Sequence, residues 1–302
     1  YMIHPLLLLC VSFLHHTTID TCHSTFYWLR LGGLHNLHLG DFHMLQLGAP
    51  QGFKNHWVDG LSNEQYHADK GFISSTPLKD VLAESPAYFY DKFFLAPPSP
   101  STSSMLLSSL VHHAVLEGED FIKRYVVQPP FAGHANSNLH KQAKAEWRAA
   151  HKHKLIVTQE EIQTLEGTYE SIFRHPDARL ILKGSNFERS GYYVDPPTGL
   201  RLRIRYDAYD SDARILSDIK ATRSCKRNDF AYALRDYRWD LSMAMYAQGI
   251  AEIDGIPVDD QVFIVVEKTR PYQCAVYPIG TRTKEIGLSD YRKALGILKT
   301  CA

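Results

Sequence analysis

Beyond Gly184 the hydrophobic spacing changes from helical to alternating, and this change constrains the fold more than any other feature of the sequence. Residues 191–194 and 200–206 alternate as strands do, and an Asp-Pro-Pro-Thr-Gly turn at 195–199 separates them. Residues 214–220 continue as a third strand. Three consecutive strands therefore precede the next predicted helix, at about residues 230–253.

Helices and further strands surround this segment. Apolar residues at helical spacing predict a helix over residues 105–115, and Thr158 is the predicted N-cap of another helix over about residues 159–173. After residue 253 the pattern predicts a fully apolar strand at 262–266, typical of the middle of a sheet, then a strand at 274–279 and a helix at 289–299. The predicted class is α/β, with a central mixed β-sheet flanked by helices.

Asp218 and Lys220 lie two residues apart in the third strand, so the alternation of a strand directs both side chains to one face. A buried carboxylate beside an ammonium is a poor choice for a core unless the two groups work together. Asp207 ends the preceding strand, and a hairpin with a turn at residues 209–212 would bring it beside Asp218. The alternative is that Asp218 and Lys220 form a surface ion pair on an edge strand.

Two carboxylates that converge at the edge of a sheet suit a hard divalent cation. Mg²⁺ is favoured because it takes one or two carboxylates and keeps water ligands for a substrate phosphate, and we expect Mn²⁺ to substitute for it. Lys220 can orient the attacking water while the cation stabilises the charge that develops on the phosphate. The chemistry predicted for this arrangement is phosphodiester hydrolysis.

The overall charge gives no sign of a polyanionic partner. Lys plus Arg and Asp plus Glu are equal at 33 each, so any nucleic-acid surface must be local. The basic segment at residues 139–154 fits such a surface and fits a solvated helix face equally well. Its cations are Lys141, Lys144, Arg148, Lys152 and Lys154. The five cysteines show no Cys-x-x-Cys spacing, which favours reduced thiols and a cytoplasmic location.

No chemical motif falls within the N-terminal residues, and residues 1–48 are predicted to be an extension of unknown role. The apolar stretch at residues 6–14 could be the core of a signal peptide, but it lacks a basic flank and is too short to span a bilayer. We therefore expect no membrane contact. Residues 97–104, rich in proline and serine, are predicted to be a linker or a lid.

Several ordered segments of the sequence resemble exodeoxyribonuclease VIII (RecE) and its phage relatives. The matching segments are 62–67, 85–88, 111–121, 190–199, 203–207 and 217–222. Together they suggest that the resemblance covers about residues 49–302. It implies a restriction-endonuclease-like, PD-(D/E)XK fold, with residues 49–104 as a helical lead-in and residues 105–302 as the catalytic core.

The resemblance also implies a role for each residue that matches a family motif. The implied metal ligands are Asp207, Asp218, the backbone carbonyl of Ile219, His112 and Glu188. Lys220 would orient the attacking water, and the four side-chain ligands would share the catalytic role with it. His112 could instead act on the phosphate side or be a core histidine, and Glu188 could be a surface acid.

The family places the tyrosine of a Gln-x-x-x-Tyr helix motif against DNA near the cut, and Tyr246 matches it, although it could be a core aromatic residue. Arg238 on the same helix could clamp a phosphate, and Lys144 and Arg148 are the other candidates for DNA contact. Three positions depart from the family pattern. They are Ser242 in place of Gln, Tyr206 in place of Pro and Ser108 in place of Gly.

A member of this family would be a metal-dependent exonuclease that degrades double-stranded DNA, 5′ to 3′, in phage or bacterial recombination. The resemblance implies a ring-like homo-oligomer, a single-strand annealing protein as partner, and the cytoplasm of a bacterium or a phage-infected cell. Two alternatives stay open. One is a RecB-type or CRISPR-associated nuclease, although many of these carry an iron–sulfur cluster that the scattered cysteines do not suit. The other is a catalytically silent DNA-binding module.

Overall fold

A computed structural model describes Gly48 and residues 51–97, 103–118, 121, 123 and 125–301 of the chain. These residues all belong to one unit, which spans residues 43–302. The predicted N-terminal extension, apart from Gly48, and residues 98–102 of the predicted linker lie outside the described residues. The domain boundary near residue 48 therefore stays a prediction.

The first part of the described chain is a short strand and a group of short helices. They are β1 (His56–Val58), α1 (Asn63–Ala68), α2 (Ser75–Ala83), α3 (Pro86–Tyr90) and a π-helical turn (Asp91–Leu95) that continues α3. Ser62 caps α1 reciprocally with Gln65: the Ser62 hydroxyl accepts from the Gln65 amide, and the Gln65 side chain accepts from the Ser62 amide.

Longer helices follow, with two short strands between them. They are α4 (Ser103–Glu117), β2 (Tyr125–Val127), α5 (Asn138–Ala150), β3 (Leu155–Val157), α6 (Gln159–Arg174) and α7 (Pro176–Lys183). β2 and β3 pair in parallel, and α5 lies between them in the chain. Thr158 forms a capping box with Glu161 at the start of α6, as the sequence predicts.

The remaining elements build the main sheets. They are β4 (Asn186–Phe187), β5 (Ser190–Val194), β6 (Arg201–Arg205), β7 (Ala208–Asp210), β8 (Ile215–Thr222), α8 (Arg227–Asp236), α9 (Trp239–Asp254), β9 (Asp260–Glu267), β10 (Cys274–Pro278) and α10 (Thr281–Cys301). The five-stranded sheet has the order β10-β9-β8-β7-β4, and β1-β5-β6 form a three-stranded sheet. Only β8 and β9 are parallel in the five-stranded sheet, so the sheet is mixed, as predicted.

Both faces of the five-stranded sheet are buried. On β9, Phe263 and Val265 belong to a core that includes residues of α2, α9 and α10. Ile264 and Val266, which point the other way, belong to a second core with residues of α4, α6 and α7. β9 therefore lies in the interior of the sheet, as its unbroken apolar run predicts. None of the helices within the described ranges is long and apolar enough to cross a membrane.

Two predicted elements differ from those observed. The helix predicted at 230–253 is two helices, because Arg238 lies between α8 and α9 in the left-handed region, with φ +48°. The turn predicted at residues 209–212 lies two residues later, at 211–214, because residues 208–210 form β7, which pairs with β8. The second difference brings the predicted site together.

Candidate active site

The β7–β8 hairpin, in the interior of the five-stranded sheet, brings Asp207 and Asp218 together. Ala208 pairs with Ser217, so Asp207, one residue before β7, lies opposite Asp218. The backbone amide of Ile219 donates to Oδ2 of Asp207 at 2.7 Å, which fixes that carboxylate against β8. The two carboxylates therefore meet as predicted, but in a different hairpin. β8 pairs with β7, which overlaps the predicted turn, whereas β6 pairs with β5 in the three-stranded sheet.

The backbone of Ile219 adds an oxygen to the same side. In an extended strand the N–H and C=O of one residue point to the same edge. Since the amide of Ile219 points to Asp207, its carbonyl faces that side too. β7 ends its pairing with β8 at Ser217, so this ladder does not continue to Ile219. The position suits the predicted role of this carbonyl as a metal ligand.

Asp218 and Lys220 share one face of β8, and the Lys220 ammonium contacts Oδ2 of Asp218. Asp218 is only 4% exposed, which excludes the alternative of a surface ion pair on an edge strand. Burial and the neighbouring charge of Asp207 raise the pKa of Asp218, and Lys220 offsets these effects only in part. Burial alone would lower the pKa of Lys220, but Asp218 and Asp207 raise it, so Lys220 stays a cation.

His112, on α4, reaches the same carboxylates from the other side. Its Nδ1 lies 3.3 Å from Oδ2 of Asp207. Burial raises the pKa of Asp207, but the charge and hydrogen bond of His112, with help from Lys220, outweigh burial and hold that pKa below its ordinary value. The pKa values of Asp207 and Asp218 are thus pushed apart, a pattern found where two carboxylates work together at a functional site.

Glu188 lies next to Asp207 and close to two residues of α4, His113 and Glu117. Its backbone amide donates to the Asp207 carbonyl at 3.1 Å, and burial and the charge of Asp207 raise the pKa of its carboxyl. Ligand atoms of Glu188, His113 and Glu117 all lie within 4.8 Å of one another, which is close enough to hold a metal ion. His113 and Glu117 carry no role predicted from the sequence, although their spacing of four residues on one helix places them on one face.

Lys79, on α2, is a charged residue near the predicted site that the sequence does not point to. Burial and the charge of Lys220 lower the pKa of Lys79 to about 8, while Asp218 and Asp240 oppose that shift. A second lysine thus faces the predicted site from a helix more than a hundred residues earlier in the chain. A single lysine in an amphipathic helix carries no local signal of such a position.

Tyr246 lies near the site, on α9. It hydrogen-bonds with the Ser75 side chain, and burial and the charge of Asp218 raise its pKa well above the ordinary value. Arg238 pairs with Asp290 of α10, with Nη1 and Oδ2 2.5 Å apart. Its role in DNA contact stays a prediction. Ser242 is buried in α9, where a glutamine would have to displace core side chains.

Lys144 and Arg148 lie on α5, none of whose residues is buried. Arg148 Nε donates to the side chain of Gln128, in the loop that follows β2, at 3.1 Å. Among the described residues, no hydrogen bond or ion pair joins Lys144 or Arg148 to Asp207 or Asp218. The surface on which they are predicted to bind DNA is therefore separate from Asp207 and Asp218.

The donor set fits a hard divalent cation. It offers the carboxylates of Asp207 and Asp218, the Ile219 carbonyl and the His112 imidazole, which are oxygen and nitrogen ligands of the kind such ions take. Oδ2 of Asp218 is buried, and its contact among the described residues is the Lys220 ammonium. The fit to a cation therefore rests on the chemistry of the donor atoms.

A mixed sheet with helices on both faces, whose antiparallel hairpin carries Asp207 and then Asp218 and Lys220, is a restriction-endonuclease-like, PD-(D/E)XK fold. The chain belongs to the family described as "PDDEXK-like domain of unknown function (DUF3799)", whose model matches residues 74–302. The family and the fold support a nuclease, that is, a hydrolase of phosphodiester bonds. A search of curated proteins found no match to the sequence.

Solved structures that match this one include the two that follow. The first is from Eubacterium rectale and is described as a "Putative exonuclease"; it is 14% identical, the match covers 80% of this chain and 88% of that chain, and the TM-score is 0.53. At that identity it supports the fold alone. The second, SSO0001, is 12% identical over 51% of this chain and 69% of the other, and its TM-score of 0.26 is too low for any conclusion.

Proposed function

We propose that this chain is a metal-dependent DNA exonuclease. The observation that carries the proposal is the convergence of Asp207, Asp218 and the Ile219 carbonyl where β7 begins beside β8, with the Lys220 ammonium against Asp218. Acidic oxygens beside a fixed cation form a site where a phosphate and its attacking water can be held together. Membership of the PDDEXK-like family, and the similarity in fold to the Eubacterium rectale protein, support a nuclease.

A divalent cation bound by these ligands, Mg²⁺ or Mn²⁺, would stabilise the charge that develops on the scissile phosphate and activate water. Lys220 stays protonated, because Asp218 and Asp207 raise its pKa. It therefore donates hydrogen bonds to the attacking water or a phosphate oxygen and does not accept the proton. His112 holds Asp207 in place through its contact with Oδ2 of that carboxylate.

The finer assignment rests on the resemblance to exodeoxyribonuclease VIII. It comprises degradation of double-stranded DNA from 5′ to 3′, a role in phage or bacterial recombination, a ring-like homo-oligomer and a single-strand annealing partner in the cytoplasm. Glu188 supports the metal site from the strand edge, and Tyr246 contacts the DNA near the cut. Arg238, Lys144 and Arg148 are the proposed phosphate contacts.

Digestion of duplex DNA labelled at either 5′ or 3′ end tests this function. With Mg²⁺ or Mn²⁺ we expect mononucleotides or short oligonucleotides to be released early from the 5′ label, while the 3′ label stays in long fragments. With Ca²⁺ we expect binding without cleavage. A closed circular duplex of the same sequence is the control, since an exonuclease leaves it intact. No cleavage of any linear duplex under these conditions would contradict the proposal.

A further inference from the structure

Four aromatic rings stack on one another from the central sheet to the surface beside Lys220. The ring centroids of Tyr277 and Phe230 are 5.2 Å apart with an interplanar angle of 10°. Phe230 and Trp239 follow at 5.7 Å and 28°, and Trp239 and Tyr237 at 5.2 Å and 21°. All three pairs are near-parallel, an arrangement that is favourable beyond the area it buries.

The exposure of these rings increases outward from Phe230, while Tyr277 at the other end is half-buried. Phe230 is 4% exposed and lies in the core against Phe263 of β9, whereas Tyr237 is 63% exposed. Trp239, between them, is half-buried. The outermost ring is therefore a large aromatic surface open to solvent, and it is held in place from behind by Trp239.

The break between α8 and α9 creates this arrangement. Residues two apart in a continuous helix do not face each other, so Tyr237 and Trp239 could not stack there. Arg238 interrupts the helix with its left-handed backbone, which is uncommon for a residue other than glycine. The ion pair of Arg238 with Asp290 holds the interruption in place. The fold thus stabilises an unusual backbone conformation that presents one ring to solvent.

The stack also adjoins the proposed active site. The Lys220 ammonium lies over the Trp239 ring, 5.4 Å from its centroid. The surrounding segment, residues 221–238, is rich in cations: it carries Arg223, Lys226, Arg227, Arg235 and Arg238 against the acids Asp229 and Asp236. An exposed aromatic ring among cations is the pattern with which proteins hold single-stranded nucleic acid, by stacking on bases and contacting the backbone.

We infer that Tyr237, supported by Trp239, is a stacking platform for an unpaired base at the DNA end that the enzyme degrades. This inference rests on the proposed nuclease function. A strand must leave its duplex for its phosphate to reach Asp207 and Asp218, and the freed base loses its stacking partners. The Tyr237 ring replaces them, and it does so for any sequence because every base has a flat face.

Coupling between the ring and the base tests the inference directly. Affinity is measured in Ca²⁺ for a linear duplex and for duplexes with an abasic site at each of the last three positions of the cleaved strand. For wild-type protein we expect one abasic position to weaken binding by about 5- to 100-fold, the range for one stacked base. Tyr237→Ala should weaken binding of the intact duplex similarly and show no further loss with that abasic duplex, because the two changes remove the same interaction.

Two variants serve as controls. Tyr237→Phe keeps the ring and should bind as wild type does, and Tyr232→Ala removes a ring on α8 that is 59% exposed and outside the stack. 2-Aminopurine at the coupled position gives a second readout: wild type and Tyr237→Phe should quench its fluorescence by stacking, and Tyr237→Ala should not.

Additive effects of Tyr237→Ala and every abasic site, in a wild-type protein that cleaves DNA with Mg²⁺, would overturn the platform and leave the nuclease function standing. A wild-type protein that neither binds nor cleaves DNA would overturn both.

Discussion

Two lysines face the same carboxylates and have opposite pKa shifts. Lys220 contacts Asp218 directly, so the attraction of Asp218 and Asp207 exceeds the cost of burial and raises its pKa. Lys79 is buried beside the positive charge of Lys220, and its pKa falls to about 8. The difference separates a lysine that stays charged for electrostatic work from one that titrates near neutral pH.

Lys220→Ala tests the electrostatic role of Lys220. We expect turnover at saturating DNA to fall by at least about 10²-fold, the scale for removing one preorganised electrostatic interaction. Affinity for DNA in Ca²⁺ should change little, because many other interactions hold the duplex. Lys293→Ala, an exposed lysine of α10, is the matched control. Turnover at the wild-type level in Lys220→Ala would remove Lys220 from the site.

Lys79→Met tests the buried ammonium of Lys79 through the pH dependence of stability. Below pH 8 the folded chain carries this ammonium in a buried position, so the substitution should raise the free energy of unfolding at pH 7. Between pH 8 and 10.5 the folded chain has lost a proton that the unfolded chain keeps, so wild-type stability gains with rising pH and the advantage of the variant shrinks. Urea unfolding of both proteins at pH 7, 8.5 and 10 measures the difference, and an advantage that stays constant with pH would contradict this account.

Among the elements, α9 and α10 pack closely enough that one glycine is required. A Cβ on Gly287 of α10 would lie 2.3 Å from the backbone oxygen of Asp240, which cannot move without shifting α9. A Cβ on Gly296 of the same helix would have no other atom within 4 Å. Substitution by alanine should therefore have opposite effects on the free energy of unfolding at Gly287 and at Gly296.

We expect Gly287→Ala to lower the free energy of unfolding by about 1–3 kcal/mol, the usual cost of overpacking. Gly296→Ala should raise it by about 0.5–1 kcal/mol, because alanine favours the helix more than glycine does. Chemical denaturation of the two variants beside wild type provides the comparison. A Gly287→Ala variant as stable as wild type would show that α9 and α10 do not pack so closely.

Strand β8 could be predicted from the sequence because a strand repeats every two residues, and local alternation records it. Strand β7 could not, because it is only three residues long and overlaps the predicted turn. The same repeat directs Asp218 and Lys220 to one face, whatever the rest of the fold. The break at Arg238 could not be predicted in this way. Neither glycine nor proline marks it, and the ion pair with Asp290 that holds it joins residues 52 positions apart.

Residues that join the site from other elements could not be predicted for the same reason. Lys79, Trp239 and the pair His113 and Glu117 lie on helices whose amphipathic patterns show only which face is buried. Their approach to Asp207 and Asp218 depends on how those helices pack on the sheet, and that packing is a property of distant parts of the chain.

For the whole molecule, zero net charge means that the proposed DNA substrate requires a local concentration of cations. Among the described residues, two candidates are the cations of α5 and those of the segment at 221–238 that surrounds the aromatic stack. The first lies in the insertion between β2 and β3, and the second adjoins Lys220.

Neutralising Lys144 and Arg148 together distinguishes a DNA-contacting α5 from a merely solvated one. Each phosphate that a cation neutralises releases counterions, so the slope of log affinity against log salt should become shallower by about 0.9 for each phosphate no longer neutralised on duplex DNA. Binding should weaken alike for all sequences, while turnover at saturating DNA stays nearly unchanged. An unaltered salt slope in the Lys144→Gln, Arg148→Gln variant would show that α5 is a solvated helix that contacts no phosphate. The DNA path would then run along the segment at 221–238.

Asp218→Asn provides the most direct test of the account, because it removes one charge from the proposed metal site with almost no change in side-chain size. With Mg²⁺ present we expect no detectable cleavage of an end-labelled duplex, while DNA binding in Ca²⁺ persists and calorimetry shows weaker binding of Mg²⁺ than in wild type. Cleavage by Asp218→Asn at the wild-type rate would contradict the assignment of Asp207, Asp218 and Lys220 as a metal-dependent phosphodiesterase site.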